Sequence, residues 1–518
     1  MGGPRLRPPS IPAVVFGLLA VVVPIALQTP LLNSDGDLAR HLRHGRYMLE
    51  HGGLIRMDPF SFTRPGAPFV GFEYGSQLLY ALAERLGGLP AVAVLAGLLI
   101  ATSYGALMVF LLGRGVDPLL AYFTVALAVV LGIGHWNARP HLFSFMATVV
   151  LLSLLAGRPR RAILASAILF ALWANLHGGF VYGWILIGVY LVGAWGERLW
   201  GNEPAFWRER VRYYLALLGT AVAATLVNPH GLELHRHLIA FFGTPFLRDN
   251  TAEFVSPNFH ETGTKAFLAL LLVMFGVLSL ERRRATLPRL LLLGASTAFA
   301  LMAVRNIPLF GLTALPVFAL HVDAAWRGLP DPRRVRHRFE VSARQTSTWP
   351  WVLPVTVVLL VLGLSHGRLG SIQVIRTAFD PSVFPVAAVA KARDAKLEGR
   401  LFSNFTWGGY VLYAWPEQKV FIDGGSDFYG EEIFREYVEV KALSPSWRKI
   451  LDRWRISLLL LDRQTTLAHE LARDATWSQW YCDSLAVVFR RSSAGTVLTP
   501  AGADSSERAL NACGRPSS

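Results

Sequence analysis

Residue types and spacing come nearest to chemistry in the stretch Ser34-Asp35-Gly36-Asp37-Leu38-Ala39-Arg40-His41-Leu42-Arg43-His44-Gly45. A helix beginning near Asp35 sets Asp37, His41 and His44 at i, i+4 and i+7, along one face. Gly36 leaves the backbone free to turn Asp35 toward the same spot. Two carboxylates beside two imidazoles form a proton-handling set, able to take the proton of a hydroxyl nucleophile. Capping is the competing reading, because Asp is favoured at helix starts, where its charge meets the dipole. A place at a membrane surface beside two histidines tips Asp35 and Asp37 toward function. Asp37 and His41 also qualify as ligands of a divalent cation, although so few donors of mixed hardness do not specify one.

Further along, Asp58-Pro59 reads as an N-cap followed by the first residue of a helix, and Pro65-Gly66 as a turn. Glu73 opens an amphipathic helix, Tyr74 to Leu86, expected to lie along the interface, and capping accounts for Glu73 as well as acid/base work does. Other loops contribute His135, Trp136, Asn137, Arg139 and His141; Asn175, His177 and Gly178; Asn228, His230, His235 and His237; Glu253, His260 and Lys265; Arg305 and Asn306. Arg139, Arg305 and His177 are the candidates for a phosphate at headgroup depth, and snorkelling toward lipid phosphates is the alternative for each arginine. His41, His44, Glu73, Trp407 and Tyr410 are candidate acceptor or sugar contacts; the two aromatic rings suit stacking, while Gly408-Gly409 reads more simply as the opening of a helix. Asp423-Gly424-Gly425 reads as a tight turn.

These groups are positioned by eleven apolar segments, at 11–32, 88–112, 118–134, 141–157, 162–176, 179–196, 213–228, 264–280, 287–304, 306–322 and 350–366. Most approach the roughly 17–25 residues that a bilayer-spanning helix requires. Arginines fill every second gap: Arg5 and Arg7, Arg114, Arg158 with Arg160 and Arg161, Arg198 to Arg212, Arg282 to Arg289, and Arg333 to Arg338. The positive-inside rule places those gaps and the N-terminus in the cytoplasm, and the chemistry-bearing loops outside. A hydrophobic share of 53% is excessive for a soluble globule. The net charge of +15 is spent on arginines beside apolar spans, where they orient helices and meet anionic lipid, so nucleic acid is excluded as a partner. The first apolar run is too long for a signal h-region and reads as an uncleaved helix.

From about residue 367 the pattern becomes that of an α/β domain, with strands expected at Arg400 to Ser403, Lys419 to Asp423, Ile456 to Asp462 and Ser484 to Arg490, and helices at 429–443, 446–455 and 466–474. Three regions follow: a transmembrane domain, 1–366, with a large first external loop at 33–87; a periplasmic α/β domain, 367–492; and a disordered tail, 493–518. Cys482 and Cys513 are both expected outside, where a bridge is permitted but not required. No glycine-rich fingerprint opens a helix, which removes nucleotide donors.

An Asp pair after the first span, a helical first external loop, many spans and a C-terminal periplasmic domain together resemble the glycosyltransferase C superfamily of integral-membrane enzymes. Asp35-Gly36-Asp37 with His41 and Gly45, Asp58-Pro59-Phe60-Ser61, Glu73, Arg139-Pro140, Asn175-Leu176-His177-Gly178-Gly179, Asn228-Pro229-His230-Gly231, Trp407-Gly408-Gly409-Tyr410 and Phe421-Ile422-Asp423-Gly424 resemble a bacterial branch of it. The resemblance implies transfer of a sugar from a polyprenyl-phosphate or polyprenyl-diphosphate carrier to an envelope acceptor on the outer face. It implies Asp35 or Asp37 as general base or as metal and acceptor ligand, with a divalent cation in some relatives. Gly36 stands where the family more often has an acid, and Leu38, Ala39 and Arg40 replace aromatic residues common between Asp37 and His41.

The expectation is therefore a mainly α-helical polytopic protein of the bacterial inner membrane, with about eleven transmembrane helices and a C-terminal periplasmic α/β domain. Its partners are a polyprenyl-linked sugar donor, membrane lipids and an envelope acceptor. A flippase of lipid-linked saccharides is the alternative, but it calls for mid-helix charges and internal repeats that the sequence hardly shows. A non-catalytic envelope scaffold is a third reading, under which Asp35 and Asp37 are replaceable.

Overall fold

The computed structural model describes residues 7–157, 159–201, 203–281, 285–331, 333–344 and 346–492. Arg5, Arg158, Arg282, Arg283 and Arg284 of the arginine-rich gaps, and the tail 493–518 with Cys513, lie outside the described residues.

Every apolar segment of the sequence coincides with a helix: Ile11–Ala26, the C-terminal part of Tyr74–Gly113, Pro118–Gly132, His141–Leu155, Pro159–Leu176, Phe180–Trp200, Pro204–Ala224, Thr262–Leu280, Leu287–Met302, Ile307–Gly328 and Trp349–Leu364. By length and apolar character, five described helices can cross a membrane: Tyr74–Gly113, Pro118–His135, Phe180–Trp200, Thr262–Leu280 and Val304–Gly328. The other six are shorter or begin with a charged turn. A 16-residue helix such as Ile11–Ala26 rises only about 24 Å against a hydrocarbon core of about 30 Å. Large apolar side chains nonetheless stay exposed along them, Leu164, Leu172, Val192, Leu272, Phe275 and Leu280 among others, as helices facing lipid require. The protein is a membrane protein.

Two compact units divide the chain. The first holds residues up to Leu31, Leu86–Arg236 and Arg248–Arg376. Its helices pack as pairs, Phe180–Trp200 on Pro204–Ala224, Pro118–Gly132 on Ile307–Gly328, and Ile11–Ala26 on Trp349–Leu364. With no water to expel from between them, helices in lipid associate through close van der Waals contact at small residues. Gly193 faces Pro288, Gly311 faces Ala128, and Gly97 faces Pro24 in this way. A small antiparallel hairpin, β1 (Arg368–Leu369) with β2 (Ile372–Gln373), follows the last of these helices.

The second unit holds Leu32–Arg85, His237–Leu247 and the chain from Thr377. Its sheet comprises β3 (Arg400–Ser403), β4 (Ile456–Asp462), β5 (Trp477–Cys482) and β6 (Ala486–Arg491) in the order β3-β4-β6-β5, with β3 parallel to β4 and the other pairs antiparallel. Alternation along β4 sends Leu459 and Leu461 into one core, shared with Phe434 and Tyr437 of helix Ser426–Lys441, and Leu458 and Leu460 into another, while Ile456 joins the first core from beyond the register shift at the start of the β3–β4 pairing. The second core is completed by Ala39, Met48, Ile55, Phe60 and Tyr74, so the long loop after the first helix is built onto the sheet. Asn33 ties the join, donating to the Ala378 carbonyl and accepting from the Asp380 N–H.

Some local expectations fail for physical reasons. The strand expected at Lys419 to Asp423 shrinks to Val420, bridged to Ser61 and Leu401, because the chain turns away at Asp423-Gly424-Gly425. Asp58 caps no helix; its carboxylate accepts from the Phe60 and Ser61 N–H groups and the Ser61 hydroxyl, closing a buried turn. Strand β5 and helix Val386–Asp394 were not anticipated, the first because Ser478 and Gln479 dilute its apolar alternation.

Candidate functional site

In the second unit, Asp35, two residues ahead of helix Asp37–His51 and just before its N-cap Gly36, accepts the Asp37 N–H at 3.0 Å. The face carrying Asp37, His41 and His44 exists, but it turns inward. His41 Nδ1 lies 3.2 Å from Gln77 Nε2 and 3.7 Å from Glu73 Oε2. His44 is buried and stacked on Phe60 at 4.6 Å, and burial followed by Arg40 and Arg43 pushes its imidazole well below the usual range, so it stays neutral. Trp407 donates its indole N–H to the Val383 carbonyl, and Tyr410 packs on Phe379 and Phe384; both rings are buried. As placed, His44, Trp407 and Tyr410 belong to the core and present no open face to a sugar.

Asp37 and Glu73 instead converge on Arg40. Its Nε is 3.9 Å from Asp37 Oδ1 and one Nη is 4.0 Å from Glu73 Oε2. Buried Asp423, whose carboxylate accepts the Gly425 N–H at 2.7 Å, adds its field to the same group. Burial pushes the Asp423 carboxyl up to about 6, while Arg40 pulls the other way. Burial also acts to raise Asp427, but its hydrogen bond with His237 Nε2 at 3.0 Å, and then Arg40, hold it below the usual carboxylate range. The glycines flanking these acids have a steric cause. A Cβ on Gly424 would run into Asp37 Oδ1, and one on Gly36 into the Thr406 carbonyl, where helix Phe405–Ala414 crosses helix Asp37–His51.

In the first unit, Arg139 and Arg305 meet on one carboxylate. Glu253 receives Arg139 on Oε1, and Arg305 lies 3.4 Å from its Oε2. The Val304 N–H donates to the Val255 carbonyl, which joins the Glu253 loop to the Arg305 loop, and the Ala138 N–H donates to Leu31, which fixes the Arg139 turn. Burial acts to raise the Glu253 carboxyl, yet the two arginines hold it down at about 2. His177 lies in the same electrostatic field. The Gly179 N–H donates to its Nδ1, leaving the ring proton on Nε2, and the Ser144 hydroxyl is 2.7 Å from the same nitrogen while accepting from the Trp173 indole. Burial, and then Arg305, keep His177 neutral. Two cations on one anion leave a net positive charge, suited to a phosphate.

The divalent cation implied for Asp37 and His41 does not fit. Among the described residues no group of three or more His, Cys, Asp or Glu side chains is placed to hold a metal ion, since His41 turns to Gln77 and Glu73 while Asp37 faces Arg40. Three participants escaped the sequence reading. By sequence, Glu253 reads as one more loop acid, Arg40 as a residue standing where the family more often has an aromatic, and Asp423 as part of a tight turn. An acid matching two distant arginines in otherwise similar loops was the available signal for the first.

No protein-family model matches the chain, and no curated protein matches its sequence. Solved structures do match. The archaeal oligosaccharyltransferase AglB from Archaeoglobus fulgidus, in complex with an inhibitory peptide and a dolichol-phosphate, superposes with a TM-score of 0.56 at 13% identity, covering 96% of this chain and 76% of that one. The apo form of the Archaeoglobus fulgidus oligosaccharyltransferase gives 0.54 at 12% identity, covering 94% and 75%. A form tethered to an acceptor peptide containing the NVT sequon gives 0.56 at 13%, covering 94% and 74%. The chain shares the fold of these oligosaccharyltransferase structures. At such identities the likeness establishes architecture, and roles for individual residues rest on the geometry above.

Proposed function

We propose that this protein is a membrane glycosyltransferase that moves a sugar from a polyprenyl-phosphate or polyprenyl-diphosphate carrier to an acceptor at the periplasmic face of a bacterial inner membrane, which it crosses with eleven helices. One observation carries the reading: Arg139 and Arg305, far apart in sequence, share the carboxylate of Glu253 within the field of His177. Such a cluster at helix mouths suits a lipid phosphate. As an analogy of fold, AglB structures hold a dolichol-phosphate in one case and an acceptor peptide in another.

The chemistry assigns roles as follows. An acceptor hydroxyl is a poor nucleophile at neutral pH, and the carboxylate of Asp35 or Asp37 takes its proton as the anomeric carbon is attacked. Charge grows on the departing phosphate, and a pre-placed guanidinium pair stabilises it more in the transition state than in the ground state. His177, neutral with its proton on Nε2, supplies a further donor.

The test is transfer from a panel of radiolabelled polyprenyl-phosphate sugars by the purified parent, Asp35→Asn and Asp37→Asn. Loss of the base should cut transfer by roughly 10²–10⁴-fold in one of the two variants. If both variants transfer label as well as the parent, neither carboxylate is the base.

A further inference from the structure

The acids of the second unit surround a cation that the chain itself supplies. Arg40 is buried one turn into helix Asp37–His51, and the carboxylates of Asp37, Asp423, Glu73 and Asp427 all act on it. Its contacts to Asp37 and Glu73, at 3.9 and 4.0 Å, are ion-pair distances rather than hydrogen bonds, and its buried Nε has no hydrogen-bond partner. The guanidinium is therefore held by charge beside Asp37 and Glu73, within the field of Asp423 and Asp427. Glycines clear the room for it: a Cβ on Gly425 would lie 3.3 Å from an Arg40 Nη, one on Gly424 3.6 Å from Nε, and one on Gly409 3.0 Å from the Arg40 Cβ. These are glycines of the two C-terminal sequence patterns whose purpose the sequence leaves open.

Converging carboxylates are hard oxygen ligands, and without compensation they attract a divalent cation such as Mn²⁺ or Mg²⁺. We propose that Arg40 is a built-in counter-cation that takes the place of a divalent metal ion in this acidic cluster, so that the cluster is complete without metal. A guanidinium does not deprotonate in the working range and is not removed by chelators. The inference concerns which ion the cluster holds, and it stands whatever group the protein transfers.

The test reads ion binding rather than transfer, on the full chain in lipid nanodiscs. Mn²⁺ is titrated by electron paramagnetic resonance, and melting is followed with and without MnCl₂. The parent should show no Mn²⁺ uptake that Asp37→Asn or Asp423→Asn removes, and no rise in melting temperature with Mn²⁺. Arg40→Met, close in volume but uncharged, should bind Mn²⁺ at least about tenfold more tightly than the parent, and melt higher when the ion is added. Parent protein that binds Mn²⁺ through Asp37 or Asp423 overturns the proposal, and so does folded Arg40→Met that gains no affinity. Should Arg40→Met not fold, Arg40→Gln carries the same comparison, and the parent titration decides on its own.

Discussion

Two arginines on one carboxylate make Glu253 the residue whose loss is most informative. Its carboxyl is held at about 2, against an ordinary value of 4.5, so it binds fewer protons folded than unfolded. Stability from this source is present above about pH 4.5 and drains away as the pH falls toward about 2. The full shift corresponds to roughly 3 kcal/mol, and partial exposure of the group trims this to about 1–3 kcal/mol. Glu253→Gln should therefore melt lower than the parent at neutral pH, with the gap closing as both are acidified below about pH 4. A gap that holds steady across that range would show that the carboxylate is not charged through this pair. The same variant frees Arg139 and Arg305 for another anion, so inorganic phosphate should restore part of the lost melting temperature.

At the scale of elements, the crossing of helix Asp37–His51 with the Asp423-Gly424-Gly425 turn depends on a missing methyl group. Gly424→Ala drives a Cβ into Asp37 Oδ1, and overpacking of this kind costs about 1–3 kcal/mol. Gly53→Ala, with nothing within 4 Å, should stay within about 0.5 kcal/mol of the parent, and comparison of the two melting temperatures checks the argument. The contrast also explains what the sequence made legible. Apolar runs announce helices because burial or lipid contact acts on each residue locally, and each of the eleven runs is helical; β3 and β4 fall on the expected residues for the same reason. Asp35-Gly36-Asp37 was legible as a helix start bearing charge. Its surroundings were not, since Glu73 reaches Arg40 from just ahead of a separate helix and Asp423 and Asp427 act on it from hundreds of positions away. Nor does helical periodicity reveal whether a polar face looks outward, as it was expected to for His44, or stacks on Phe60 inside a core.

For the whole molecule, the compactness of the second unit constrains the membrane topology without reference to charge. Leu32–Arg85, His237–Leu247 and the chain from Thr377 belong to one unit, and a single packed core cannot be divided by a bilayer. On the proposed multi-pass reading, the chain then crosses an even number of times between residues 85 and 237, and again between 247 and 377. Under the proposed eleven crossings, six apolar segments fall in the first interval and four in the second, an even number in each, and the alternating arginines are placed in keeping with that proposal. One short helix failing to cross would break the parity and place parts of one core on opposite sides. In a background with Cys482 and Cys513 replaced by serine, single cysteines at Ser34, Ile239 and Glu398, all exposed, should react together with a membrane-impermeant maleimide on intact cells. Cysteines at exposed Arg114 and Val335 should react only after permeabilisation. Labelling of Arg114→Cys on intact cells would put the chemistry-bearing loops in the cytoplasm and end the case for an extracytoplasmic lipid-linked donor. Disagreement among Ser34, Ile239 and Glu398 would instead break the unit itself.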